Sequence, residues 1–353
     1  MLFRSFATPL SSRRHLPTNV STHPIAVGVA AAVVALTISA LVNRLVAKKA
    51  ERNNPPMGKF VEVDGVRVHY IERGHGEPLV LLHGNGSMIQ DFASSGLLDK
   101  AAAKYRVIVF DRPGFGYSER PRLTVWTPGT QADLIRKALG QLGISQAIVL
   151  GHSWGASVAI ALALKDPKLV TRLILASGYY YPTVRSDVLA SWQALPVIGD
   201  IMSQTLSPIL ARLMWPALMR RIFGPSIHPK KFAGFPKEMA LRPSQLRAGA
   251  AESALMIPTA LALHKRYAGL TMLVSIIAGA DDKLVDTDEQ SARLHRDVPR
   301  STLRRVAGVG HMVHQSATDV VMAAIDEAQG TSLTMDPSER GSFVPSYSIT
   351  VVA

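Results

Sequence analysis

The chain has 353 residues, 47% hydrophobic and 18% charged, with a net charge of +13. That suits one large globular domain or two, and the absence of cysteine excludes disulfides and thiolate metal sites. No histidine or carboxylate run has zinc-binding spacing and no nucleic-acid motif accompanies the basic charge, so no metal, cofactor or nucleic acid is expected.

Residues 1–24 are a basic N-terminal segment. Residues 25–42 (IAVGVAAAVVALTISALV) then run uncharged for 18 residues, near the lower limit for a membrane-spanning helix. Arg13 and Arg14 precede the run; Arg44, Lys48, Lys49 and Arg52 follow it. A membrane anchor with the catalytic domain on the cytoplasmic side fits that charge order. The competing readings are a cleaved signal peptide and, from the acid-free start, mitochondrial targeting. Residues 43–58, which include Pro55-Pro56, read as a linker.

A folded core is expected over 59–178 and 270–329. Lys59 to Val63 and Val66 to Ile71 alternate around Asp64-Gly65, a hairpin signal. Leu79 to Leu82, Val107 to Phe110 and Ala147 to Leu150 are continuous apolar runs, as in strands buried on both faces. Thr130 to Leu142 has helical spacing. Leu173 to Ala176, Met272 to Ala278 and Ser301 to Val306 are three more strands, and a helix is expected over Thr318 to Ala328. Strands alternating with helices predict an α/β fold, a mostly parallel sheet covered on both faces. Residues 179–269 break the alternation and read as a helical cap over the strand ends, with eleven Lys/Arg against four Asp/Glu. That basic surface, like the N-terminal run, suggests a membrane as partner. Residues 330–353 are polar and irregular, and disorder is expected there.

The chemistry is carried by Gly151-His152-Ser153-Trp154-Gly155. An apolar run precedes it and a small-residue run follows, which is strand, sharp turn and helix with a serine at the tip. In that context G-x-S-x-G means a nucleophile elbow; a serine helix cap is the plainer alternative. A serine nucleophile needs a base, and the base an orienting acid. Both are expected on loops after later strands. Gly308-Val309-Gly310-His311 and Gly279-Ala280-Asp281-Asp282 stand in those places. His311 is preferred over His314, and Asp281 and Asp282 both remain candidates. Two backbone donors should form an oxyanion hole. One is the N–H of Trp154; the other is Asn85, with Gly86 the alternative, in His83-Gly84-Asn85-Gly86-Ser87. His83 reads as structural and His152 as a packed spacer.

With HGNGS (83–87), DRPGFGYSERP (111–121), GHSWGA (151–156), GADD (279–282) and GVGHM (308–312) in this order, the chain resembles the α/β-hydrolase superfamily, in its cap-containing serine esterase or lipase-like branch. The resemblance spans about residues 60–328 and implies that fold. It selects Asp282, three residues after the glycine of G-x-x-D. Asp286 stands where the family often has proline. The HGN and Ser-Trp pairings resemble haloalkane dehalogenases, which, like epoxide hydrolases, use an aspartate nucleophile; Ser153 argues against both activities. The expected function is a serine hydrolase that cleaves a lipophilic small-molecule ester through an acyl-serine. Alternatives with the same triad are a cofactor-free haloperoxidase or perhydrolase and an acyltransferase; a ligand-binding receptor of hydrolase fold is an alternative of another class.

Overall fold

The continuous apolar runs form the middle of a nine-stranded sheet. The strands are β1 (Lys59–Val63), β2 (Val66–Arg73), β3 (Pro78–Leu82), β4 (Arg106–Phe110), β5 (Ala147–His152), β6 (Val170–Ala176), β7 (Leu273–Gly279), β8 (Ser301–Val306) and β9 (Ile349–Val352). Their order is β1-β2-β4-β3-β5-β6-β7-β8-β9. Only the β1–β2 and β2–β4 pairings are antiparallel. The computed structural model describes residues 24–183, 195, 197–334 and 349–352.

Side chains alternate across a strand, so an all-apolar strand needs cover on both faces. Val80 and Leu82 point into one core, with Ile108, Phe110 and Val149. Leu79 and Leu81 point into the other, with Val107, Val109, Ile148 and Leu150. Helices α2 (Ile89–Ser94), α3 (Leu97–Ala102), α4 (Pro128–Gln141) and α5 (Trp154–Lys165) follow the early strands. Leu134, Ile135, Ile160 and Leu162 of α4 and α5 cover the first face, and Phe92, Leu97 and Leu98 of α2 and α3 the second. Leu79 to Leu82 are each fully buried, and each such side chain stabilises the fold by about 1.5–3 kcal/mol.

The described part of the cap holds α6 (Ile198–Gln204), α7 (Ser207–Phe223), α8 (Lys237–Ala240) and α9 (Pro243–Leu263), with no strand among its described residues. Chain order then gives α10 (Arg293–Asp297), α11 (Val313–Ser316) and α12 (Thr318–Thr334).

Two expectations need correction. The uncharged run lies in α1, which spans Pro24–Asn53 and so continues through most of the expected linker. Ala47 to Arg52 are good helix formers, and the helix stops where Pro55 disfavours helical geometry in the residue before it. This extension packs on the cap helices α6, α8 and α9. At the other end, the tail expected to be disordered is helical to Thr334 and supplies β9, which pairs with β8 from Leu303↔Ile349 onward. Ile349 to Val352 is β-branched throughout, and β8 offered it a free edge. Residues 335–348 of that tail lie outside the described residues.

Candidate active site

All the elements that carry candidate residues end on one side of the sheet. Ser153 follows β5, Asp282 follows β7, His311 follows β8, and the 83–87 loop follows β3. Parallel strands place their carboxyl ends together, and ligands bind there in open sheets of this kind. The Ser153 hydroxyl donates to His311 Nε2 at 3.0 Å, and His311 Nδ1 donates to Asp282 Oδ2 at 2.7 Å. A carboxylate only accepts, which puts the ring proton on Nδ1 and leaves Nε2 to take the serine proton. Burial alone would raise the Asp282 carboxyl. The charge and hydrogen bond of His311, with the N–H groups of Val285 and Leu284, hold it below its ordinary value. Asp281 is elsewhere: its carboxylate accepts the Gly308 N–H at 2.9 Å.

The glycines of the elbow are needed for close approach. A Cβ at Gly151 would lie 2.3 Å from the Gly155 carbonyl oxygen, and one at Gly155 would lie 2.2 Å from that of Leu82. Ser153 itself has φ 52° and ψ −119°, a strained turn conformation. It precedes α5 but makes no capping bond, so its hydroxyl is left for His311.

The sequence family described as alpha/beta hydrolase fold matches residues 77–317. The chain belongs to that family. Among curated relatives, 2-hydroxymuconate semialdehyde hydrolase of Pseudomonas sp. (strain CF600) is 34% identical over 155 residues, or 43% of this chain. The chain spans 54% of that relative's length. A bacterial membrane phospholipase A has the same fold with TM-score 0.63 at 19% identity, covering 88% of this chain and 97% of that one. A thermophilic esterase from Thermogutta terrifontis gives TM-score 0.65 at 21% identity, covering 78% and 99%. This α/β hydrolase has an apolar pocket at the strand ends. A cavity of about 220 Å³ joins Ser153 and His311 to Trp215, Leu218, Met219, Phe235 and Met256. A larger cleft of about 570 Å³, lined by Arg120, Trp126 and Arg247, contains none of the three linked residues; the chemistry selects the smaller one.

The 83–87 loop is fixed against the elbow. Gly84 comes so near that a Cβ there would lie 3.1 Å from Ser153 Cβ. The Asn85 side chain donates to the Gly249 carbonyl and to Ser253 Oγ of α9, both at 3.1 Å. Gly86 has φ +70°, a turn conformation suited to glycine. Trp154 opens α5, and its N–H is one of the helix-start donors that have no partner within the helix.

Several residues around the site were not singled out in the sequence. Arg112 and Glu252 form a fully buried ion pair between the core and α9. Arg112 also donates to the carbonyls of His83 at 2.8 Å and Gly84 at 2.9 Å. Only a lone glutamate in the apolar run of α9 pointed to Glu252. His152 is more than a spacer, because its Nε2 donates to the His311 carbonyl at 3.1 Å. His314 lies beside it with ring centroids 4.3 Å apart and the planes tilted by 58°. Its Nε2 lies 3.0 Å from Asp91 Oδ1, close enough for an ion pair but poorly aligned for a hydrogen bond. Burial alone would raise the Asp91 carboxyl, but His314 and His152 beside it hold it well below the carboxylate range. Asp91, His152 and His314 could be drawn together on a metal ion. Asp91 also accepts from Ser87 Oγ at 2.9 Å and Gln315 Nε2 at 2.8 Å, whereas His152 Nδ1 and His314 Nε2 have no hydrogen-bond partner among the described residues.

His83 shows why acid should unfold this protein. Its Nε2 accepts the Arg112 backbone N–H at 3.0 Å, which forces Nδ1 to carry the proton it shares with the Gly84 carbonyl. Burial, then the charge of Arg112, lower its pKa to about 3. Burial, then the charges of His314 and His311, lower that of His152 well below the ordinary value. Both must be neutral in the fold and can charge in the unfolded chain below about pH 6.5. The unfolded state then binds more protons, so stability falls as pH drops through 6.5 and keeps falling toward the folded-state pKa. For His83 the expected loss is about 2 kcal/mol between pH 7 and pH 5, and His152 adds to it in the same direction. Urea unfolding across that range measures it. His83→Asn, which keeps a donor and an acceptor, should flatten the slope by about one proton; an unchanged slope would remove His83 as the cause.

Proposed function

We propose that this α/β hydrolase is a serine esterase acting on lipophilic carboxylic esters, held at a membrane by α1. The observation that carries the reading is the Asp282–His311–Ser153 hydrogen-bond chain opening into an apolar cavity. His311 Nε2 takes the Ser153 proton as Oγ attacks the ester carbonyl. The backbone N–H groups of Trp154 and Asn85 hold the oxyanion of the tetrahedral intermediate, each donor contributing about 3–4 kcal/mol in a comparable enzyme. His311 next protonates the leaving alcohol, then activates the water that cleaves the acyl-serine. Asp282 keeps the imidazole in the Nδ1–H tautomer and stabilises its charged form.

The likeness to a semialdehyde hydrolase favours a second reading, cleavage of a carbon–carbon bond by the same three residues. A muconate substrate carries a carboxylate. No lysine or arginine is among the described residues that line the cavity, which supports the neutral, lipophilic ester. Retention of α1 in the mature protein is supported by its polar contacts with the cap, which a cleaved leader would not need: Asn43 Nδ2 donates to the Thr205 carbonyl at 2.8 Å.

A panel of esters of graded acyl length tests the reading, together with fluorophosphonate labelling. Labelling at Ser153 and a preference for longer chains are expected. Labelling without ester turnover would point to another acceptor or bond, and no labelling would end the serine-nucleophile reading.

A further inference from the structure

The cap carries an apolar outer surface whose position is set by α1. From Pro24 to Ala35 every side chain of α1 is exposed. From Leu36 onward one face turns inward through Ser39, Ala40, Asn43, Ala47 and Ala50, the three-to-four spacing of a single helix face. Ser39 Oγ donates to the Thr205 carbonyl at 2.7 Å, and Asn43 Nδ2 to those of Thr205 at 2.8 Å and Gln204 at 3.0 Å. Arg242 pairs with Glu51 at 2.8 Å further down. The anchor helix and the cap are thus one body.

That docking fixes depth. The uncharged run ends at Val42, and at 1.5 Å per residue Ser39 lies about 5 Å inside it. Eighteen residues extend about 27 Å, slightly less than a bilayer's hydrocarbon thickness of about 30 Å. None of the run can be spared from the membrane, so the α6–α7 junction at Thr205 is carried to the acyl boundary. The side chains presented there are apolar: Ile198, Ile201, Leu210, Leu213 and Met214 are each at least 46% exposed, Leu213 reaching 73%. Between Ile198 and Met219 the charged residues are Asp200 and Arg212, and both are in ion pairs, with Arg247 and with Glu238. Arg220 and Arg221 follow at the end of α7, where a helix leaving the acyl boundary would meet headgroups. Further round α7, Trp215, Leu218 and Met219 line the Ser153 cavity, with Leu218 one turn along the same face from Met214.

We infer that α6 and α7 lie in the bilayer interface beside α1, and that α7 is the threshold over which a lipid-dissolved ester passes from the membrane to Ser153. The inference rests on the reading of α1 as a membrane anchor and adds that apolar insertion of the cap, rather than its basic charge, makes the contact. Interfacial helices of this kind settle about 5–10 Å into the headgroup and acyl boundary.

The chain has no cysteine, so one introduced thiol carries one fluorophore. Leu213→Cys, Val34→Cys and Lys137→Cys are each labelled in the full chain reconstituted into uncharged phosphatidylcholine vesicles. The probes at 213 and 34 should be quenched by spin-labelled lipid, and the probe at 137 by aqueous iodide alone. Iodide quenching at 213 with lipid quenching at 34 would overturn the inference and leave the anchor standing. Iodide quenching at both would remove the anchor and the inference together. Shielding at 213 that fades as protein is diluted into lipid would show a second copy of the chain on this face, which also overturns it. In a second measurement, Leu213→Asp with Met214→Asp should lower turnover of a vesicle-embedded ester about tenfold or more while a short water-soluble ester is hydrolysed within about twofold of normal. Equal losses on both esters would remove α7 as the threshold.

Discussion

Ser153→Ala should abolish ester turnover while leaving the fold as stable as before. In a comparable serine hydrolase, loss of the nucleophile alone costs on the order of 10⁶ in kcat. Removing the hydroxyl takes away the attacking atom, while cavity and oxyanion donors remain. Structural cost is small because Oγ has one partner, His311, and makes no capping bond to α5. Alanine fits the same backbone and introduces no new contact. Initial rates on a soluble ester, fluorophosphonate labelling and thermal unfolding would be compared with the parent. Turnover within about tenfold of normal would mean another group attacks the substrate. A lowered melting temperature would mean that the hydroxyl also holds the His311 loop. Asp282→Asn is a less clean probe, since Asp282 Oδ1 also accepts the N–H groups of Leu284 at 2.7 Å and Val285 at 2.9 Å; activity and loop geometry would fall together.

Local rules made most of the fold legible. The Asp64-Gly65 hairpin joins β1 and β2 with Val63↔Val66 as its last pair, and the all-apolar strands β3, β4 and β5 sit in mid-sheet because both their faces are covered. The elbow was legible because its glycines answer to backbone contacts within a few residues and to β3 beside it. Long-range partners were not legible. Asn43 looks like the end of an anchor until the Thr205 carbonyl is placed against it. Spacing could not separate Asp281 from Asp282; family resemblance favoured Asp282, and the geometry gives Asp281 to the Gly308 N–H and Asp282 to the imidazole. The tail escaped because β9 has strand character only in its last residues and needed the open edge of β8.

Glu252→Ala is expected to destabilise the catalytic domain by about 3–5 kcal/mol, the usual cost of leaving one charge of a buried pair unmatched. Arg112 and Glu252 are both fully buried, and Arg112 keeps only neutral acceptors once the glutamate is gone: the carbonyls of His83 and Gly84 and the Gln131 side chain. Gln131 loses its own contact with Glu252 at 2.9 Å. The effect should reach the chemistry. The His83 and Gly84 carbonyls that Arg112 holds belong to the loop that presents Asn85, and Asn85 is tied to Gly249 and Ser253 on either side of Glu252. Glu252 therefore clamps the proposed oxyanion loop from the cap side while its charge is matched from the core side. Buried ion pairs can often be replaced by apolar residues with little loss of stability, so a second variant separates the two roles. Arg112→Met with Glu252→Leu should recover most of the stability measured by urea unfolding, yet leave kcat reduced by on the order of 10²-fold, as when one oxyanion donor is lost. If kcat recovers along with stability, the pair serves packing alone and the Asn85 N–H is positioned by its own side-chain bonds to α9. If stability returns without kcat, Arg112 and Glu252 place the loop, which gives a buried charge pair, costly to desolvate, a function that an apolar pair of similar volume cannot supply.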